Sequence, residues 1–177
     1  MKKYICLLLL IFTVYQTFAQ DVIINGVNKN RLLTWDDFSG KPDKSSAHDA
    51  NTYWNLNYSI KGISFTGDTA KITGLLVKFE LNEKLSWVKS EKQAVGLLKH
   101  EQGHFDIGLI CQLEMIRQLN SIVFFKSDFQ IKIQSVFSSI LDKYISLGIK
   151  YDEETDHSKN REFQENWNNF FTKELNR

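Results

Sequence analysis

One run constrains this chain more than any other: Leu98-Lys99-His100-Glu101-Gln102-Gly103-His104-Phe105-Asp106-Ile107. Residues four apart share a helix face, so His100 and His104 can each aim an imidazole nitrogen at one Zn²⁺. Glu101 lies on the same turn, where its carboxylate can take a proton from water activated by the metal. The competing interpretation is two solvent-facing histidines on an amphipathic helix. The surroundings favour the metal. Val95, Leu98, Leu109, Leu113, Ile116 and Leu119 recur at helical spacing, and Leu97, Ile107 and Ile110 widen the stripe. Such a helix is buried on more than one side, as a metal site in a shaped, partly dry cavity requires. Ser90 as N-cap with Gln93 three residues later reads as a capping box that starts this helix, which runs to about Asn120.

A catalytic zinc normally keeps three protein ligands and a water, so two histidines leave one place to fill. Asp106 is about 200° round the helix from His104 and faces away; it is expected to orient a histidine or tie down a neighbouring segment. Glu114 is about 15 Å further along the axis. The extended zincin spacing wants glycine and a ligand at the third and sixth places after the second histidine. Ile107 and Ile110 stand there instead. The third ligand must come from elsewhere. His157 is the leading choice, in an acidic segment read as a loop folding back over the site. The nearby carboxylates Asp152, Glu153, Glu154 and Asp156 stay open, as does His48. Asp156 is also a candidate N-cap for the last helix.

The chain begins with basic Lys2 and Lys3, an apolar run from Tyr4 to Val14, and Thr17-Phe18-Ala19 with small residues at the cleavage positions. That is the pattern of a secretory signal peptide over 1–19, with 20–177 as the mature single domain. The run is short for a bilayer, so no membrane attachment is expected after cleavage, and an exported protein, periplasmic or extracellular, is implied. Cleavage removes two lysines and no acids, moving the formal charge from +1 to −1. A nearly neutral chain argues against a nucleic-acid partner; a monomer acting on a peptide or protein is expected. Cys111 is then the only cysteine, so no internal disulfide is possible, and it reads as a small core residue.

Before the metal helix the chain reads as strands. Val22-Ile23-Ile24 is a short one. Leu32 to Trp35 leads into the loop that holds the only proline. Trp54, Leu56, Tyr58 and Ile60 alternate with polar neighbours, and Leu75, Val77, Phe79 and Leu81 repeat the pattern beyond a turn at Gly67-Asp68. This predicts an antiparallel pair, with Leu75 to Leu81 able to hold an extended peptide by main-chain pairing. After the metal helix, Asp128 to about Leu147 reads as a helix ended by Gly148. A last helix from about Ser158 to Leu175 would turn Phe163, Trp167, Phe170 and Phe171 inward.

These residues resemble the bacterial family known as domain of unknown function 922. The likeness lies in the run from Leu98 to Ile107, in Leu33-Thr34-Trp35-Asp36-Asp37-Phe38, in Ser86-Trp87-Val88, and in Tyr151 to His157 with Gln164 and Trp167. The family pattern has glycine after the distal histidine, where this chain has Ser158. Its members are described as predicted secreted zinc-dependent proteases of the zincin superfamily. The resemblance therefore implies an α+β, zincin-like fold: antiparallel strands packed on a central His-Glu-x-x-His helix, then a helical C-terminal half. It also implies a Zn²⁺-dependent peptidase. From the parts of the chain themselves, His100, His104 and His157 are the expected ligands and Glu101 the general base, with Tyr151 a candidate donor to the oxyanion by its position alone. Two other readings compete: an exported zinc-binding module without catalysis, and a zinc amidase acting on cell-wall peptides.

Overall fold

Trp54, Leu56 and Tyr58 put large side chains on one side of an extended chain, and Val77, Phe79 and Leu81 do the same on the next. A sheet with one apolar face needs a cover, and the helix that follows supplies it. The computed structural model describes residues 32–175, together with two short strands before them. It shows an α+β protein in the order β1 (Ile23–Ile24), β2 (Val27–Asn28), β3 (Ala50–Asn51), β4 (Trp54–Thr66), β5 (Thr69–Leu81), β6 (Trp87–Val88), α1 (Val95–Ser121), β7 (Phe124–Phe125), α2 (Phe129–Thr155) and α3 (Arg161–Leu175). The expected signal peptide and Val22 lie outside the described residues.

The predicted hairpin is present. β4 and β5 pair antiparallel from Trp54↔Leu81 to Thr66↔Thr69, turning at Gly67-Asp68. The larger sheet has the order β2-β1-β5-β4, with β7 against the start of β5, and β3 and β6 form a separate pair. The stretch expected to hold a peptide, Leu75 to Leu81, lies in β5 and pairs with β4 on one side. On the side away from β4, β5 is paired only at its ends, with β1 at Glu80 and Leu81 and with β7 at Thr69 and Ala70. The outer edge of β4 has no strand partner among the described residues, and Trp54, Asn55 and Leu56 at its start line a cleft.

Helix α1 lies on this sheet so closely that a side chain at Gly108 would collide with Phe79 and Trp54. Phe79 and Phe105 meet edge to face at 5.0 Å, and Cys111 is fully buried as expected. The capping box at Ser90 does not form. Ser90–Lys92 makes a 3₁₀ turn, and α1 starts after Ala94. Lys89 N–H bonds the Asp49 carbonyl, and Lys89 and Lys92 pair with the Asp49 carboxylate, so β3 holds the turn out of the helix. The N-terminal shift leaves Val95 86% exposed.

Gly148 does not end α2, which continues to Thr155. A mid-helix glycine costs about 1 kcal/mol, a penalty that packing against α1 and α3 can outweigh. The acidic segment is thus mostly helix, and Asp152 projects from its last turns. Asp156 is the left-handed C-cap of α2. It does not start α3; the Asn160 side chain does, accepting the Phe163 N–H at 3.3 Å. On α3, Trp167 and Phe171 face inward, but Phe163 is exposed.

Candidate metal centre

His100 and His104 sit one turn apart on α1, where burial by the sheet, α2 and α3 leaves His100 only 2% exposed. Their rings converge. His100 Nε2 lies 3.1 Å and His104 Nε2 2.9 Å from the same oxygen, Asp152 Oδ1. His157 Nδ1 reaches that oxygen at 3.3 Å. Donor atoms of His100, Asp152 and His157 all lie within 4.8 Å of one another, and His104 joins them through Asp152. Donors at about 2.0–2.1 Å from one tetrahedral zinc lie about 3.3 Å apart; the three imidazoles stand 2.9–3.3 Å from Asp152 Oδ1. Three imidazoles and a carboxylate suit zinc and similar divalent transition ions.

The ring of His100 is fixed from behind. Gln164 Nε2 donates to the Tyr151 hydroxyl at 2.7 Å and to Asn168 Oδ1 at 3.2 Å, so its oxygen faces His100 Nδ1 at 3.2 Å and accepts from it. Nδ1 therefore carries a proton directed at Gln164, and Nε2 faces Asp152 in the cluster. Thr155 adds a second acceptor at 3.4 Å while donating to the Tyr151 carbonyl at 2.6 Å. Tyr151 stacks on His100 with centroids 4.6 Å apart.

That placement corrects the role expected of Tyr151. Its side chain is fully buried, and its hydroxyl donates to the His100 carbonyl at 3.1 Å and accepts from Gln164. It has no proton to offer an oxyanion. Burial pushes its pKa up, with the charges of Glu101, Asp152 and Asp106 adding to the rise and Gln164 opposing it. Tyr151 is a support under His100. Gly103 makes room for it, since a Cβ there would overlap the phenol.

The cluster is electrostatically coupled. Burial disfavours the charged form of His104, but the hydrogen bond to Asp152 and the charges of Glu101 and Asp152 outweigh it and raise the pKa. Burial likewise opposes ionisation of Asp152. The hydrogen bonds from His100 and His104, with their charges, prevail and hold it far below the ordinary carboxylate range. Glu101, 3% exposed, is held by Thr52, whose hydroxyl donates to Oε2 at 2.6 Å.

Of the open choices for a third ligand, Asp152 and His157 both reach the cluster. Glu154 instead accepts from Trp167 at 2.8 Å, Asp156 pairs with Lys159, and Glu153 is exposed. His48 stacks edge-on against His157 at 4.4 Å, on the outer side. All four histidines of the chain thus gather here. His157 is carried on three consecutive left-handed residues, with φ of 45°, 48° and 79° at Asp156, His157 and Ser158. On the other side of α1, Gln102 donates to Asp106 at 2.8 Å and accepts from Leu33 N–H at 2.7 Å, so Asp106 helps tie down the first segment as expected. Thr52 had no local sequence signal. The cluster opens into a cleft of about 580 Å³ bordered by β4 and α2.

Fold and site together define an α+β domain whose central helix presents paired histidines and a glutamate to a His/Asp cluster at a cleft. The chain belongs to the bacterial family of unknown function DUF922, whose model matches residues 34–158. No curated protein and no solved structure matches it.

Proposed function

We propose that the protein is an exported, zinc-dependent peptidase with a zincin-like arrangement. The observation that carries this is the convergence of His100 Nε2 and His104 Nε2 on one point, with Glu101 between them in sequence. His100, His104 and His157 would hold the metal, with Asp152 a further oxygen donor in the same cluster. When bound, zinc supplies Lewis acidity that polarises a carbonyl and acidifies water. Glu101 then accepts the proton on the oxygen that Thr52 does not hold and returns it to the leaving amine. Gln164 and Thr155 keep the His100 tautomer fixed. The outer edge of β4, which lines the same cleft as the cluster, is the strand that aligns an extended peptide.

The test is Glu101→Gln in the full chain. Zinc content should stay at the wild-type level, and hydrolysis of casein or of cell-wall peptides should fall by about 10²–10⁴-fold. Wild-type turnover in that variant removes the base assignment. Comparing the two substrates, with and without chelator, separates a protease from a cell-wall amidase. A second reading has one observation in its favour: Asp152 meets all three imidazoles. Four protein donors engaged together make a closed, structural type of site. A chain that binds zinc and cleaves neither substrate fits that reading.

A further inference from the structure

Two large aliphatic side chains stand out in the cleft. Ile145 is 50% exposed and Ile149 57% exposed, and both line the cavity that holds the histidine cluster. With Leu141 they occupy positions i, i+4 and i+8 of α2, one stripe along one helix face. The same helix delivers Asp152 to the cluster. At 1.5 Å per residue, Ile149 lies about 4.5 Å and Ile145 about 10 Å from Asp152 along the axis. These distances are of the order of one to three residues of extended peptide. Trp54 and Leu56 of β4 form the opposite wall, and Ile107 of α1 also lines the space. Two residues further along β4 and one turn back along α2, Tyr58 and Phe137 meet at 4.8 Å.

The cleft is therefore divided by polarity. One end carries the histidines, Asp152 and Glu101; the other is aliphatic and aromatic, between a helix and an unpaired strand edge. Nothing in the core uses the exposed faces of Ile145 and Ile149. Adjoining aliphatic surface left open beside a polar cluster marks a binding subsite.

We propose that Ile149 and Ile145 form a side-chain subsite that selects peptides with an aliphatic or aromatic residue near the bond held at the cluster. This rests on the peptidase reading and adds the substrate class to it. The β4 edge aligns the backbone of such a peptide without regard to side chains, so the stripe on α2 sets the preference. An acidic side chain there would lose its hydration against isoleucine and gain no partner.

Two peptide hydroxamates serve as probes, identical except for an isobutyl or a carboxymethyl side chain beside the hydroxamate. Their dissociation constants are measured by calorimetry on the zinc-loaded chain and on Ile145→Lys and Ile149→Lys. Both positions are exposed, and Tm confirms that the variants stay folded. The isobutyl ligand should bind wild type about 10- to 100-fold more tightly, a gap that shrinks or inverts in the lysine variants. Equal affinities within threefold on wild type, or a gap intact in both variants, overturn the subsite. Turnover of the matching peptides is read separately. A gap without turnover would leave the subsite in place and remove the peptidase reading.

Discussion

At the scale of single residues, the centre depends on side chains that hold other side chains. The Thr52 hydroxyl donates to one carboxylate oxygen of Glu101, the group proposed as the base. Thr52→Val should lower kcat by about 10-fold with KM and zinc content unchanged, while Thr52→Ser stays near wild type; steady-state kinetics beside metal analysis distinguish this from a structural defect. Ser158 carries the largest positive φ of the strained run beside His157, at 79°. A β-carbon in that region costs about 1 kcal/mol, so Ser158→Gly should raise Tm by about 2–4 °C, measurable by calorimetry. His100, His104 and Glu101 were legible from their spacing alone, because a helix dictates which neighbours share a face. Thr52 was not, since its partner is 49 residues away on another element.

At the scale of elements, α1 is the piece on which everything else is mounted. It covers the sheet through Gly108 and receives Tyr151 from α2 over Gly103. Gly103→Ala should therefore push the phenol out from under His100. The expected loss is about 1–3 kcal/mol of stability, read by denaturant unfolding, together with weaker zinc binding. The hairpin and the metal helix were readable because their periods, two and 3.6, are strong and long. Gly148 and Ser90 misled because a breaker and a cap are local preferences of about 1 kcal/mol, which packing and the Asp49 ion pairs can override.

At the scale of the whole molecule, the cluster links stability to pH. The raised pKa of His104 contributes stability that is complete below its unfolded value of about 6.5 and is lost as pH rises through the higher folded value. The lowered pKa of Asp152 contributes stability present above its unfolded value of about 3.9 and lost in strong acid. Metal-free protein should therefore melt higher at pH 5.5 than at pH 8.5. Zinc-loaded protein should reverse that order, because ligation needs deprotonated imidazoles and releases protons. Scanning calorimetry with and without chelator checks both curves.

Local spacing by itself determined that a helix would present two imidazoles and a carboxylate together, and that paired strands would precede it, because these follow from helix and strand geometry. Elimination along the sequence left His157 and Asp152 among the choices for a third ligand. Only the tertiary structure decided that both reach the cluster, and that Gln164 and Thr52 support it. Asp152, His157, Gln164 and Thr52 arrive there through the docking of α2, α3 and the β3–β4 link on α1. That docking is set by close packing of large buried side chains across long sequence separations, and no local pattern encodes it.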